Sequence, residues 1–325
     1  MTEREQADAF FRLLAAPVRR LFMAGGLEIS SLQEIRMRVN RPLLLRYGGR
    51  EYGLGADGRI KDAREGITVS RELLEETLSC ITGYSLYAFD EELRQGFLTV
   101  PGGHRVGVAG RTVAEGGRIQ CIRNISFLNI RLAHQKPGCA DAVLPYLVED
   151  GRLCNTLIVS PPGCGKTTLL RDLIRQISDG SGSLEGRTVG VVDERSELAG
   201  SYLGVPQNDI GMRTDVLDCC PRAEGIMLLL RSMTPQVIAV DELGGSSDAE
   251  AVVRAFYCGC RLIATMHGSS YGDVCGQPLL WPLAEAGVFE RYLVLSGRPR
   301  VGTVREIRSR DGGIMMRAEA SCGII

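Results

Sequence analysis

Lysine is scarce in this chain. Its 325 residues carry 38 basic side chains, and only Lys61, Lys136 and Lys166 are lysines. The basic total nearly matches 39 acids, leaving a net charge of −1, so no strongly basic field points to nucleic acid. Of the 11 cysteines none forms a CxxC pair. That argues against a zinc ribbon or a secreted disulfide framework and for buried thiols in a reducing compartment. No apolar run approaches the roughly 18 to 20 residues of a membrane span. The opening "MTEREQADAFFRLLAAPVRR" has no basic segment ahead of a long apolar run, so no signal peptide is expected. The expected location is cytoplasmic, with any membrane association made through a partner. No internal repeat or low-complexity tract interrupts the chain.

What is there divides into two textures. In residues 7 to 22, Ala7, Phe10, Phe11, Leu14, Val18, Leu21 and Phe22 fall near helical spacing. They predict an amphipathic helix that packs on its own domain, with a partner or membrane surface as the second reading. "PLLLRYGGREY" reads as a hairpin around Gly48-Gly49, and "SRELLEETLSCITGYSLYAFDEELR" as two helices broken at Gly83. "GFLTVPGGHRVGVAGRTV" reads as strands parted by Pro101-Gly102-Gly103, and strand character continues through "IRNISFLNIRLA". This is a smaller α+β domain over residues 1–136, with "HQKPGCA" at 134–140 as the expected linker. In the second domain, 141–325, the short apolar runs "NTLIVS", "RTVGVVD", "PQVIAVD" and "RLIATMH" alternate with helical patterns at 166–179, 222–233 and 248–257. Such alternation predicts an α/β fold with a parallel sheet and helices on both faces. The stretch 289–318 reads as further strands, and an antiparallel extension is one reading of it.

"SPPGCGKTT", residues 160–168, has the form of a phosphate-binding loop between a strand and a helix. Ser160, Pro161, Pro162, Gly163, Cys164, Gly165, Lys166, Thr167 and Thr168 are its nucleotide-binding candidates. Loop N–H groups and the positive helix end cradle phosphates. Gly163 and Gly165 permit close backbone approach. Lys166 places its charge near the terminal phosphates, and Thr167, with Thr168 second to it, offers a hydroxyl to Mg2+. Ser160 stands where the usual pattern begins with glycine, a substitution by another small residue.

Two acids follow the apolar strand of "PQVIAVDELGG". A buried parallel strand delivers its C-terminal residues to the ligand crevice. Asp241 there can hold Mg2+ through water, and Glu242 can orient and deprotonate an attacking water. Alone the two acids could be solvated loop residues; the upstream phosphate loop gives them the functional reading. "GCRLIATMHGSS" ends a further strand. If that strand lies beside the phosphate-loop strand, Thr265 or His267 can sense the terminal phosphate.

In this order the motifs resemble the secretion and pilus-assembly ATPases of bacterial type II and type IV systems. "VVDERSEL" is similar to their acid-rich box, with Asp193, Glu194 and Glu197 as its carboxylates, and "LIATMHGSS" to their histidine box. That superfamily usually has glycine before the second-motif glutamate, where this chain has Asp241. The departure, together with "GMRTDVLDCCPRAEGIMLLLRSMTPQVIAVDELGG", "EIRMRVNRPLLL" and "GYSLYAFDEELRQGFLTVPGGHRVGVAGR", resembles a narrower branch, the stage III sporulation AA family. The resemblance spans residues 32 to 300. It implies a RecA-like P-loop ATPase domain and ATP with Mg2+. Lys166, Glu242, His267 and Glu194 would be its catalytic groups, and Thr167 and Asp241 its metal-side groups. It also implies a homo-hexamer, nucleotide held between two domains, and a membrane-protein partner. The service implied is to the mother cell–forespore apparatus, from the mother-cell side.

Two other classes remain open. A nucleic-acid-dependent P-loop ATPase of recombination or packaging type shares this core. The near-neutral charge and the want of an aromatic–basic stacking surface argue against it, and stimulation by single-stranded DNA would revive it. A nucleotide-binding scaffold without turnover is the third class. The intact Lys166, Asp241 and Glu242 argue against that one. No Asn-Lys-x-Asp occurs for guanine selectivity, and "LSG" at 295–297 lies after the acid strand, the wrong place for a transporter signature. Arg105, Arg123, Arg131, Arg195 and Arg213 are candidates for an arginine acting across a subunit interface.

Overall fold

In "LQEIRMR", strand β1 (Leu32–Arg38), Ile35 and Met37 are buried while Arg36 and Arg38 keep contact with solvent. That period of two decides which face of the first sheet carries a core. The computed structural model describes residues 10–85 and 89–317. They form two compact units, one running to His134 and including Gly200–Gln207, the other comprising Gln135–Ala199 and the chain from Asn208.

In the first unit, β1 is joined by β2 (Leu44–Tyr47), β3 (Arg50–Leu54), β4 (Ile60–Lys61), β5 (Phe97–Val100), β6 (His104–Glu115) and β7 (Arg118–Arg131). The antiparallel order is β4-β3-β2-β1-β7-β6-β5. Helices α1 (Ala16–Gly25), α2 (Arg71–Ile81) and α3 (Asp90–Gln95) accompany it. Val18 and Phe22 from α1 and Leu74 and Leu78 from α2 share one core with Ile35, Leu45, Val106 and Ile130. The hairpin at Gly48-Gly49 forms where the sequence places it, both glycines having positive φ.

The N-terminal pattern is not one helix over 7–22. Ala7 lies outside the described residues. The chain leaves helical form at Arg12–Ala15, with Ala15 at ψ 145°, and restarts at Ala16. Pro17 is the reason: it has no N–H to give to the carbonyl four residues back, and its ring would strike that carbonyl. The Arg19 guanidinium closes the gap by donating to the carbonyls of Phe11 at 3.0 Å and Leu14 at 3.1 Å. Phe10, Phe11 and Leu14 are nonetheless buried in this unit's own core.

The second unit begins with α4 (Leu144–Leu147) and a short hairpin, β8 (Val148–Glu149) and β9 (Arg152–Leu153). Its main sheet is β10 (Thr156–Ser160), β11 (Val189–Asp193), β12 (Thr214–Asp218), β13 (Val237–Val240), β14 (Arg261–His267), β15 (Arg291–Ser296), β16 (Thr303–Ser309) and β17 (Ile314–Arg317), ordered β12-β11-β13-β14-β10-β15-β16-β17. β12 through β15 in that order pair in parallel, while β16 and β17 add on antiparallel. Helices α5 (Lys166–Asp179), α6 (Arg222–Ser232) and α7 (Ser246–Tyr257) follow β10, β12 and β13. Two shorter ones, α8 (Tyr271–Cys275) and α9 (Trp281–Glu285), follow β14. α5 packs Leu170, Leu173 and Ile177 with Ile158, Val191 and Ile263; the other face packs Leu157, Ile238 and Leu262 with α6 and α7. The sheet is covered on both faces, as its unbroken apolar strands require. Cys139 and Ala140, at the end of the expected linker, are buried in this unit. Tyr202, within 200–207, packs against the core of the first. No helix of the described residues is long and apolar enough to cross a membrane.

Candidate functional site

Strand order makes the site. β10 lies between β14 and β15, with Ser160 opposite His267 in register, and β13 pairs the other edge of β14. The C-terminal ends of β10, β13 and β14 therefore open on one edge of the sheet. Ser160 is fully buried at the end of β10, and its hydroxyl donates to the Pro161 carbonyl at 2.9 Å. The loop then turns through Gly163 at φ +70° and Gly165 at φ +87°. Apart from Gly163 itself and its two chain neighbours, no atom lies within 4 Å of where a Cβ on that glycine would stand. α5 begins at Lys166 without a side-chain cap, so its first N–H groups, which have no intrahelical acceptor, serve the loop.

Six side chains, of Lys166, Thr167, Arg195, Asp241, Glu242 and His267, meet over that edge. Lys166 Nζ donates to Glu242 Oε1 at 2.5 Å, with both side chains largely buried. Thr167 Oγ1 donates to Asp241 Oδ2 at 2.8 Å. Thr167, rather than Thr168, is thus the hydroxyl on the acid. Arg195 Nη1 lies 2.7 Å from Glu242 Oε2, and His267 Nε2 lies 3.0 Å from Oε1. Burial alone would raise the Glu242 carboxyl. The hydrogen bond and charge of Lys166, with the charges of Arg195 and His267, outweigh it and hold the group below the usual glutamate range. Thr265, fully buried on β14, donates its hydroxyl proton to Asp241 Oδ1. It is placed on the two acids. Glu242 itself sits at φ +63°, a left-handed backbone that costs a non-glycine residue about 1–3 kcal/mol and persists only where its surroundings fix it.

The acid-rich stretch after β11 uses its carboxylates differently. Asp193 is buried and accepts N–H groups from Glu197, Leu198 and Ala199 at 2.9 to 3.0 Å. Burial dominates those bonds and lifts its carboxyl to about 6. Asp193 therefore folds the loop that carries Arg195. Glu194 Oε2 is paired with Arg222 Nη2 at 2.6 Å, and Arg222 Nε donates to the Asp241 carbonyl at 2.8 Å. Arg171, on α5, donates to the carbonyls of Glu197 and Leu198 at 2.5 and 2.7 Å.

Arg222 and Arg171 were not foreseen from sequence. "CCPRAEG" marks a helix start, but nothing in it shows which way its first arginine turns. Among the arginines foreseen, Arg195 reaches Glu242 within its own chain, and Arg213 donates to the Ser178 carbonyl at 2.8 Å. Arg105, Arg123 and Arg131 belong to the first unit. Arg105 lies 3.7 Å over the Phe97 ring, Arg131 lies 3.6 Å from Glu34, and Arg123 stands opposite Arg111.

The residues fit Mg2+ and a phosphate chain. Thr167 and Asp241 converge as a small set of hard oxygens of the kind Mg2+ uses beside phosphate oxygens, and the open space at Gly163 admits close approach.

A family model described as sporulation stage III, protein AA, matches residues 3–315. The chain belongs to this family. Stage III sporulation protein AA of Bacillus subtilis (strain 168) is 44% identical over 286 residues, 88% of this chain and 89% of that protein. Among solved structures, the Legionella pneumophila ATPase DotB is 18% identical with a TM-score of 0.54, covering 90% of this chain and 81% of its own. The pilus retraction motor PilT, solved with bound ADP, is 16% identical with a TM-score of 0.56, covering 89% and 80%. This member of the sporulation stage III AA family therefore shares its fold with that ATPase and that pilus retraction motor.

Proposed function

We propose that the protein is a Mg2+-dependent ATPase that hydrolyses ATP to ADP and phosphate. Its work is to drive a secretion-type apparatus during sporulation, the channel between mother cell and forespore. The observation that carries this reading is the meeting of Lys166, Thr167, Asp241 and Glu242 at the edge formed by β10 and β13. Lys166 presents its ammonium group to the terminal phosphates. Thr167 and Asp241 hold Mg2+, which when bound neutralises charge on the phosphate oxygens. Glu242 is held ionised and so can accept a proton from the attacking water. His267, whose Nε2 stands 3.0 Å from the same carboxylate, orients it. Family membership supports the sporulation role, and the fold shared with a motor that carries ADP supports the nucleotide.

The working form is a homo-hexamer on the cytoplasmic side of a membrane-protein partner, within the mother cell. Sizing with and without ATP, alongside measured turnover, tests the reading. Turnover that accompanies assembly supports it, and an assembled oligomer without turnover overturns it.

A further inference from the structure

The peptide unit between Asp241 and Glu242 is gripped at both of its polar atoms. Arg222 Nε donates to its carbonyl oxygen at 2.8 Å, and its N–H donates to Thr265 Oγ1 at 2.8 Å. The Thr265 carbonyl also accepts the next N–H, that of Leu243, at 2.8 Å. Neither grip can reverse. A guanidinium only donates. The Thr265 hydroxyl directs its single donor at Asp241 Oδ1, so toward the peptide it can only accept. A flipped peptide would turn its N–H toward the arginine and its carbonyl toward the hydroxyl lone pair, donor against donor and acceptor against acceptor. Glu194, at 2.6 Å from Arg222 Nη2, fixes the guanidinium from the other side.

We propose that Arg222 and Thr265 are positioning residues for Glu242. Together they lock the Asp241–Glu242 peptide in one orientation and hold Glu242 in its left-handed backbone, so that its carboxylate points at Lys166, Arg195 and His267. Thr265 thereby acts on the two acids, and Glu194 acts through Arg222. Only the turnover part of the test rests on the ATPase reading.

The test uses the full chain. Amide hydrogen exchange at Glu242, measured without nucleotide, compares the parent with Thr265→Val, which keeps the shape and loses the hydroxyl, and with Thr265→Ser, which keeps the hydroxyl. Loss of one hydrogen bond predicts exchange about tenfold faster in the valine variant. The serine variant should stay within about threefold of the parent, and Ala239, in mid-strand, should be unchanged in both. Equal exchange at Glu242 in the valine variant and the parent, or serine behaving as valine does, overturns the lock.

At saturating Mg2+, Thr265→Val and Arg222→Met should each lower kcat about tenfold or more with KM for ATP within about threefold. The double variant should lose about as much as the worse single one, because both grip one peptide. Multiplied losses would overturn the shared grip. If Arg222→Met fails to fold, the two Thr265 variants decide. A parent without turnover would contradict the ATPase reading, and exchange at Glu242 would still judge the lock.

Discussion

Lys166 and Glu242 stand 76 residues apart in the chain and meet at 2.5 Å, each largely withdrawn from solvent. The first residue of the helix after β10 and the acid pair after β13 are thereby joined across an intervening strand, β14. Removing one partner of such a pair ordinarily strands a charge. Here Arg195 and His267 remain on the carboxylate, so Lys166 can be removed with Glu242 still compensated.

Lys166→Ala should therefore fold and lose nucleotide affinity. A charge-assisted contact to phosphate is worth about 1.5–3 kcal/mol, roughly ten- to a hundredfold in Kd. Calorimetric titration with ATP and Mg2+ measures it. An affinity equal to the parent's would show that "SPPGCGKTT" is not the nucleotide site.

Asp193 predicts a pH effect of definite sign. Its folded-state value of about 6 lies above the ordinary 3.8. Between those values the native state holds a proton that the unfolded chain releases. Its contribution to stability is thus fully present below about pH 4 and lost as pH rises through about 6, a change of about 3 kcal/mol from this group. Asp193→Asn cannot titrate there. Its amide nitrogen also cannot accept an N–H, which adds an offset independent of pH. The stability difference between parent and variant, from urea midpoints, should move against the parent from pH 4 to pH 7. A difference flat across that range would contradict the assignment.

Assembly should raise activity. An arginine acting across a subunit interface in P-loop enzymes can contribute ~10³ or more to rate. Specific activity should climb with protein concentration over the range where sizing shows monomer passing to oligomer. A flat profile over that range would contradict the hexameric working form.

Much of this was legible in the sequence, and the physical reasons differ by element. Helix α5 begins and ends at Lys166 and Asp179 as its periodicity predicts, because its apolar stripe and glycine-rich approach are local signals. β10, β11, β13 and β14 read as unbroken apolar runs because both sheet faces are covered. β12, "TDVLD", did not read as a strand: it lies at the sheet edge, and its side chains are only partly buried, so no apolar pattern announces it. The break at Arg12–Ala15 was hidden by an apolar spacing that continues across it, although Pro17 stood as its signal. Thr265 was foreseen near the site as a phosphate sensor, and its bonds to Asp241 and Glu242 depend on strand register. Arg222 depends on the packing of α6 against β11 and α7, which no local pattern carries.

The central claim is that Glu242 takes the proton in ATP hydrolysis, and the most direct measurement is the turnover of Glu242→Gln beside the parent at matched ATP affinity. Glutamine keeps the shape and most of the hydrogen bonding but is not a base. Thermal unfolding first establishes that the variant is folded, with Lys166, Arg195 and His267 now facing a neutral amide. The account predicts ATP bound as tightly as in the parent, an ATP-bound oligomer that accumulates, and turnover slower by ~10² to 10⁴. Turnover at the parent rate would contradict it, and Glu242 would not be the base.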